Sequence, residues 1–180
     1  IDFILVGDSL GMVVAGMEDT TGVTLDQMVY HTRMVRRGVK RGLLVSDLPI
    51  DTYRTPDEAV SNGLALLDAG ADAVKLEGGI RQCAKIEAMV AADIPMVGHL
   101  GMLPQRVREE GGYKKKGRTQ AEARDLEEAA HQICRAGVLA IVLESVIEST
   151  ATRITESIEV PTIGIGSGYA CTAQIRVLHD

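Results

Sequence analysis

An α/β fold on a parallel sheet is what this chain predicts, and three observations predict it. Six short apolar or β-branched runs, "FILVGD", "GLLVSDL", "DAVKLEG", "PMVGHLG", "LAIVLES" and "PTIGIGSG", recur along the sequence. Between them, apolar residues fall at helical spacing, as with Leu25, Met28, Val29, Thr32 and Val35 in "TLDQMVYHTRMVRRG". Two internal repeats tie the units together: "DAGADAVKLEGG" matches "RAGVLAIVLESV", and "IPMVGHLG" matches "VPTIGIGSG". Strands that are apolar almost throughout, each followed by a helix, imply a parallel sheet covered on its outer face, with right-handed connections. A (β/α) barrel and a doubly wound sheet both satisfy this pattern.

The helices carry their own start and stop signals. Thr24 with Gln27, Thr55 with Glu58, and Thr119 with Glu122 have capping-box spacing, and Pro56 sits where a first helical residue belongs. Gly38, Gly70 and Gly137 follow the helical runs they would terminate. The stretch "LPQRVREEGGYKKKGRT", Leu103 to Thr119, is polar and without an apolar period, which predicts a long loop on the active rim and a candidate lid.

Composition narrows the function classes. With 180 residues, 46% of them apolar, residues 1–180 can bury the core of a single domain. A formal charge of −6 gives no basic footprint for nucleic acid. No apolar run approaches the roughly 20 residues that span a bilayer. Cys83, Cys134 and Cys171 are far apart and lack CxxC spacing, so they read as reduced thiols of a cytoplasmic protein. The chain begins inside an element and without Met, and so reads as part of a longer polypeptide.

The chemistry lies at the strand ends. Asp8, Asp47, Glu77 and Glu144 close four of the runs and His99 closes a fifth, which gathers five polar groups on the rim where barrel active sites are built. Gly70 precedes Glu77 by the same seven residues as Gly137 precedes Glu144, so the two acids belong at one level of the sheet. Carboxylates this dense repel one another unless a cation is present or some are protonated, and oxygen donors suit a hard divalent ion such as Mg²⁺. His99 is a ligand or an imidazole that orients a substrate oxygen. Lys75 points to the same strand face as Glu77, either as half of a buried ion pair or as the cation for a substrate carboxylate. Metal, lysine and a spare carboxylate suit proton abstraction beside a carbonyl: a chelated 2-oxoacid, a stabilised enolate, and Glu144 as the base. "GIGSG", residues 164–168, is either a phosphate cradle or close strand packing, and no dinucleotide fingerprint or P-loop is present.

In order along the chain, "VGDSLGMVVAG", "YHTRMVRRG", "SDLP", "VKLEGG", "GHLGMLPQ", "GGYKKKGR", "VLES" and "VPTIGIGSG" resemble the ketopantoate hydroxymethyltransferases (3-methyl-2-oxobutanoate hydroxymethyltransferases) of pantothenate biosynthesis. The resemblance implies a (β/α)₈ TIM barrel of the phosphoenolpyruvate mutase/isocitrate lyase type, here without the first and last strand units. It implies transfer of a hydroxymethyl group from 5,10-methylenetetrahydrofolate to 3-methyl-2-oxobutanoate, giving 2-dehydropantoate through a Mg-stabilised enolate, in a homodecamer. It also implies roles: Asp8, Asp47 and Glu77 for Mg²⁺; Asp8, Ser9, Asp47, Lys75 and His99 around the oxoacid; Glu144 as proton acceptor. Two positions depart from the family pattern. Leu103 replaces a usual threonine, and "GYACTAQIRVLHD" lacks the Asp-Gly that usually precedes Gln174. A Mg²⁺-dependent carbon–carbon lyase or mutase for another 2-oxoacid, and a catalytically inert assembly component, are the competing readings. Dependence of turnover on the folate separates the first, and Mg²⁺ titration the second.

Overall fold

The computed structural model describes residues 2–179, so the outermost residue at each end of the expected domain lies outside the description. The chain divides into two compact units, Ile1–Leu76 with Ala84–Met96, and Glu77–Cys83 with Val97–Asp180.

The first unit is built on β1 (Phe3–Val6), β2 (Leu43–Asp47) and β3 (Ala73–Glu77), with helices α1 (Leu10–Val13), α2 (Leu25–Gly38), α3 (Pro56–Asp68) and most of α4 (Cys83–Ala91). The strands pair in parallel, β1 with β2 from Phe3↔Leu43 to Val6↔Ser46, and β2 with β3 from Val45↔Ala73 to Asp47↔Lys75. β3 is buried along its whole length, as expected of a strand covered on both faces. Leu44, Leu66, Leu76, Ile86 and Met89 are fully buried and form its core. Helix α2 buries Met28 and Thr32, and the Thr32 hydroxyl bonds the Ser46 hydroxyl of β2 at 2.8 Å, which satisfies both polar groups inside the core.

The second unit carries β4 (Met96–Gly101), α5 (Gln120–Arg135), β5 (Ala140–Glu144), α6 (Glu148–Ser157), β6 (Thr162–Ile165) and β7 (Ala173–Gln174). Again each pairing is parallel: β4 with β5 from Val97↔Ala140 to Gly101↔Glu144, β5 with β6 from Ile141↔Thr162 to Glu144↔Ile165, and β6 with β7 at Ile163↔Ala173 and Gly164↔Gln174. The six expected strands are all present. β7 is additional: two exposed residues with no apolar pattern to announce them.

The caps follow the sequence with instructive differences. At Thr24 both halves of the capping box form. At Thr55 and Thr119 the hydroxyl accepts the N–H of Glu58 and Glu122, but each glutamate reaches one residue further back, to the N–H of Arg54 and of Arg118. Gly70 (φ 107°) and Gly137 (φ 103°) close α3 and α5 as left-handed residues. Their N–H groups, and those of the residues that follow, bond back to Leu67 and Leu66, and to Cys134 and Ile133. Gly38 differs: it is the last residue of α2 rather than the stop beyond it, and Val39 caps the helix.

The "GIGSG" turn is a packing device. A side chain at Gly164 would lie 3.0 Å from Cys171 Sγ, and the fully buried Ser167 hydroxyl donates to the Leu143 carbonyl (2.7 Å) and accepts the Val146 N–H (3.0 Å). Ser167→Ala removes the acceptor of a buried N–H, for which about 1–3 kcal/mol is the ordinary cost. Urea denaturation is expected to show that loss, and an unchanged midpoint would mean that the bridge contributes nothing. Cys83, Cys134 and Cys171 are free thiols, and burial, with the nearby Glu159 carboxylate second, pushes the Cys134 thiol up. Among the described residues no helix is long and apolar enough to cross a membrane.

Candidate functional site

Each unit gathers its own polar cluster at the C-terminal ends of its strands. In the first, the chain leaves β1 through Gly7 and turns at Asp8 and Ser9 into the short helix α1. Gly7 lets that turn run close to its neighbours, since a Cβ there would stand 3.2 Å from Ser9 Oγ and 3.5 Å from Asp47 Oδ2. The Asp8 N–H donates to Asp47 Oδ2 at 3.1 Å. Asp47 ends β2 and lies in register with Lys75 of β3, whose Nζ is 2.9 Å from Asp47 Oδ1. The residue exposures of Asp8, Asp47 and Lys75 are only 3%, 2% and 3%. Asp47 and Lys75 thus form a buried ion pair, and the backbone of Asp8 is bonded to the same carboxylate. Ser9 is half-buried and its side chain makes no bond to the helix it precedes.

In the second unit an imidazole stands between two acids. His99 Nδ1 lies 3.4 Å from Glu77 Oε1, and His99 Nε2 lies 3.2 Å from Glu144 Oε2. A protonated imidazole can donate to both carboxylates, a neutral one to only one. His99 sits within β4 rather than at its end, and the Gly78 N–H bonds its carbonyl at 3.0 Å. Glu77 also accepts the Gln105 N–H, at 3.1 Å, so its carboxylate is held from two sides. Glu144 is the accessible member: its side chain is 20% exposed against 3% for those of His99 and Glu77. A carboxylate that water or a small molecule can reach, backed by a buried His–Glu pair, has the arrangement of a working acid or base.

The backbone around Glu144 is fixed from several directions. The Met102 N–H bonds the Glu144 carbonyl at 2.8 Å. Ser145 adopts a left-handed conformation (φ 50°), where its N–H bonds the Ile165 carbonyl and its own carbonyl accepts the Lys116 N–H, both at 2.8 Å. A non-glycine residue in this region costs of order 1–3 kcal/mol and persists only where its surroundings hold it, as these bonds do. The strain follows the accessible acid directly in sequence.

Of the residues expected from sequence, the structure brings Asp8, Asp47 and Lys75 together with Ser9 beside them, and brings Glu77, His99 and Glu144 together. It adds Gln105, Gly101 and Ser145. Gly101 had a visible signal, a glycine that closes an apolar run; Ser145 and Gln105 had none, because their roles rest on backbone bonds to distant segments. Among the described residues no group of three or more His, Cys, Asp and Glu side chains is arranged to hold a metal ion.

Comparison with known proteins agrees with this architecture. The 3-methyl-2-oxobutanoate hydroxymethyltransferase of Pyrobaculum neutrophilum is 49% identical over 181 residues, which is 100% of this chain and 69% of that protein. The enzyme of the same name from Clostridioides difficile is 49% identical over 182 residues, 100% of this chain and 66% of its own length. Among solved structures, 2,3-dimethylmalate lyase, a PEP mutase/isocitrate lyase superfamily member, superposes with a TM-score of 0.67 at 16% identity, covering 91% of this chain and 59% of its own. Phosphoenolpyruvate phosphomutase from Streptomyces platensis subsp. rosaceus does so with a TM-score of 0.67 at 14% identity, covering 91% and 61%. At such identities the likeness carries the fold alone, and that α/β fold is the one expected from the sequence. The model of the ketopantoate hydroxymethyltransferase family matches residues 1–180, and the chain belongs to that family.

Proposed function

We propose that the protein transfers a hydroxymethyl group from 5,10-methylenetetrahydrofolate to 3-methyl-2-oxobutanoate, giving 2-dehydropantoate. The observation that carries this reading is the accessible Glu144 carboxylate backed by His99 and Glu77, a base poised for a carbon acid, in a chain of this family.

Glu144 takes the proton from C3 of the oxoacid. His99, 3.2 Å away, holds the carboxylate in place and shares the proton that arrives, while Glu77 fixes the other face of the imidazole. Lys75 supplies positive charge for the carboxylate of the oxoacid and is itself oriented by Asp47. Ser9 contributes a hydroxyl to the same ligand. Water releases the one-carbon unit from the folate as formaldehyde, with tetrahydrofolate leaving, and the C3 carbon adds to it, the alkoxide formed taking the proton held on Glu144.

The donor set of the first unit fits Mg²⁺. Asp8 and Asp47 both carry buried carboxylates, the Asp8 backbone N–H donates to Asp47 Oδ2, and Mg²⁺ ordinarily takes one or two protein carboxylates with waters and substrate oxygens filling the rest. Asp8 and Asp47 would hold the ion. Bound there, the ion would supply positive charge to the oxygens of a 2-oxoacid, which would ease loss of the neighbouring proton. The same reading places the protein in the cytoplasm, as a homodecamer.

Formation of 2-dehydropantoate from the purified protein tests the reaction. Product should require both 3-methyl-2-oxobutanoate and 5,10-methylenetetrahydrofolate and should vanish with chelator. Turnover of the oxoacid without the folate would overturn the transferase assignment in favour of a lyase.

A further inference from the structure

The loop after β4 is strongly basic. Residues 106–118 hold six Lys or Arg and two acids, a net charge of +4 in a protein of −6, so the remaining residues carry −10. The loop is rooted at both ends in the His99 cluster. Where it begins, the Gln105 N–H is bonded to Glu77 Oε2. Where it ends, Lys116 pairs with Val146 as an isolated bridge, its N–H bonding the Ser145 carbonyl and its carbonyl accepting the Ile147 N–H. Gly117 is buried, with the Thr150 hydroxyl donating to its carbonyl at 3.1 Å. The two anchors are thus the two acids that flank His99, one of them directly and the other through its neighbouring residue.

Not all of this charge is neutralised within the loop. Lys116 pairs with Glu110, and Arg106 with Glu109. Lys114 and Lys115 are exposed and rest instead on backbone carbonyls, those of Glu110 (2.8 Å) and Gly166 (3.4 Å), contacts that orient an ammonium without cancelling its charge. Arg118, also exposed, adds a third cation two residues beyond the anchor at Lys116. The three positive charges fall between residues 114 and 118, a concentration that attracts a multiply charged anion.

We propose that Lys114, Lys115 and Arg118 form a subsite for the carboxylates of the one-carbon donor, the glutamyl tail of a reduced folate. The inference rests on the transferase reading above. The oxoacid is too short to be the occupant, since it brings one carboxylate and spends it at Lys75. A folate brings two carboxylates on its first glutamate and one more with each further glutamyl residue. The loop therefore favours longer tails, and the attraction weakens as salt screens it.

The test compares tetrahydropteroylmonoglutamate with tetrahydropteroyltriglutamate by fluorescence titration, using the full chain and the double variant Lys114→Ala, Lys115→Ala. The unsubstituted chain should bind the triglutamate more tightly, with an advantage that shrinks between low and high salt. The double variant should weaken triglutamate binding roughly tenfold and monoglutamate binding roughly two- to threefold, in line with exposed ionic contacts. Affinity for 3-methyl-2-oxobutanoate should stay unchanged, which shows that the fold is intact. Arg118→Ala should act in the same direction with a smaller effect. Equal binding of the two tails, or equal weakening of both in the variant, overturns the subsite and leaves the transferase reading standing. Failure of the unsubstituted chain to bind either folate overturns both.

Discussion

Glu144→Gln is expected to slow exchange of the C3 proton of 3-methyl-2-oxobutanoate by roughly 10²- to 10⁴-fold, the usual contribution of a positioned general base. The amide keeps the shape of the carboxylate and a partner for His99 Nε2, which stands 3.2 Å away, but it cannot accept a proton at useful rates. Binding of the oxoacid should survive, because Asp8, Ser9, Asp47 and Lys75 belong to the other cluster. Binding by calorimetry and exchange by NMR in deuterated water separate the two effects. Exchange at an undiminished rate in the variant would remove Glu144 from the mechanism. Loss of oxoacid binding along with exchange would give it a binding role instead.

Gly101→Ala should be the most damaging of the small substitutions. Gly101 ends β4 with φ 100°, and a Cβ there would stand 2.2 Å from the Glu144 carbonyl oxygen and 2.7 Å from Val146 Cγ2. The first of these is backbone, held by the Met102 N–H, so no side-chain rotation relieves the clash. Conformational strain of about 1–3 kcal/mol and overpacking of about 1–3 kcal/mol together predict a loss of roughly 2–6 kcal/mol. The displaced group is the backbone of Glu144, so protein that still folds should also lose exchange activity. Gly38→Ala is the matched control: nothing lies within 4 Å of a Cβ at Gly38, and alanine suits the end of a helix. Denaturation midpoints for the two variants should differ clearly, and coincident midpoints would contradict the packing described around Glu144.

Much of this architecture was legible because parallel strands state themselves as continuous apolar runs. β2, β3 and β5 announce their interiors with Leu, Val and Ile and their ends with Asp47, Glu77 and Glu144, and the matched spacing from Gly70 to Glu77 and from Gly137 to Glu144 placed both acids at one strand end. In the structure those two acids flank one histidine. β7 escaped because two exposed residues create no period, and Gly38 misled because a glycine can be the last helical residue as well as the stop beyond it. The long loop was readable as a loop but not as one pinned at Gln105 and Lys116, since those bonds join segments far apart in sequence. Lys75 was expected to serve either an ion pair or a substrate carboxylate. It is paired with Asp47.

The central claim is that this chain activates C3 of 3-methyl-2-oxobutanoate through Glu144 before any folate takes part. Hydrogen–deuterium exchange at C3, followed by NMR with protein, Mg²⁺ and oxoacid but no folate, tests it most directly. Exchange should depend on both protein and Mg²⁺ and be lost in Glu144→Gln. Exchange that appears only when the folate is added, or that proceeds equally well in the variant, would contradict it.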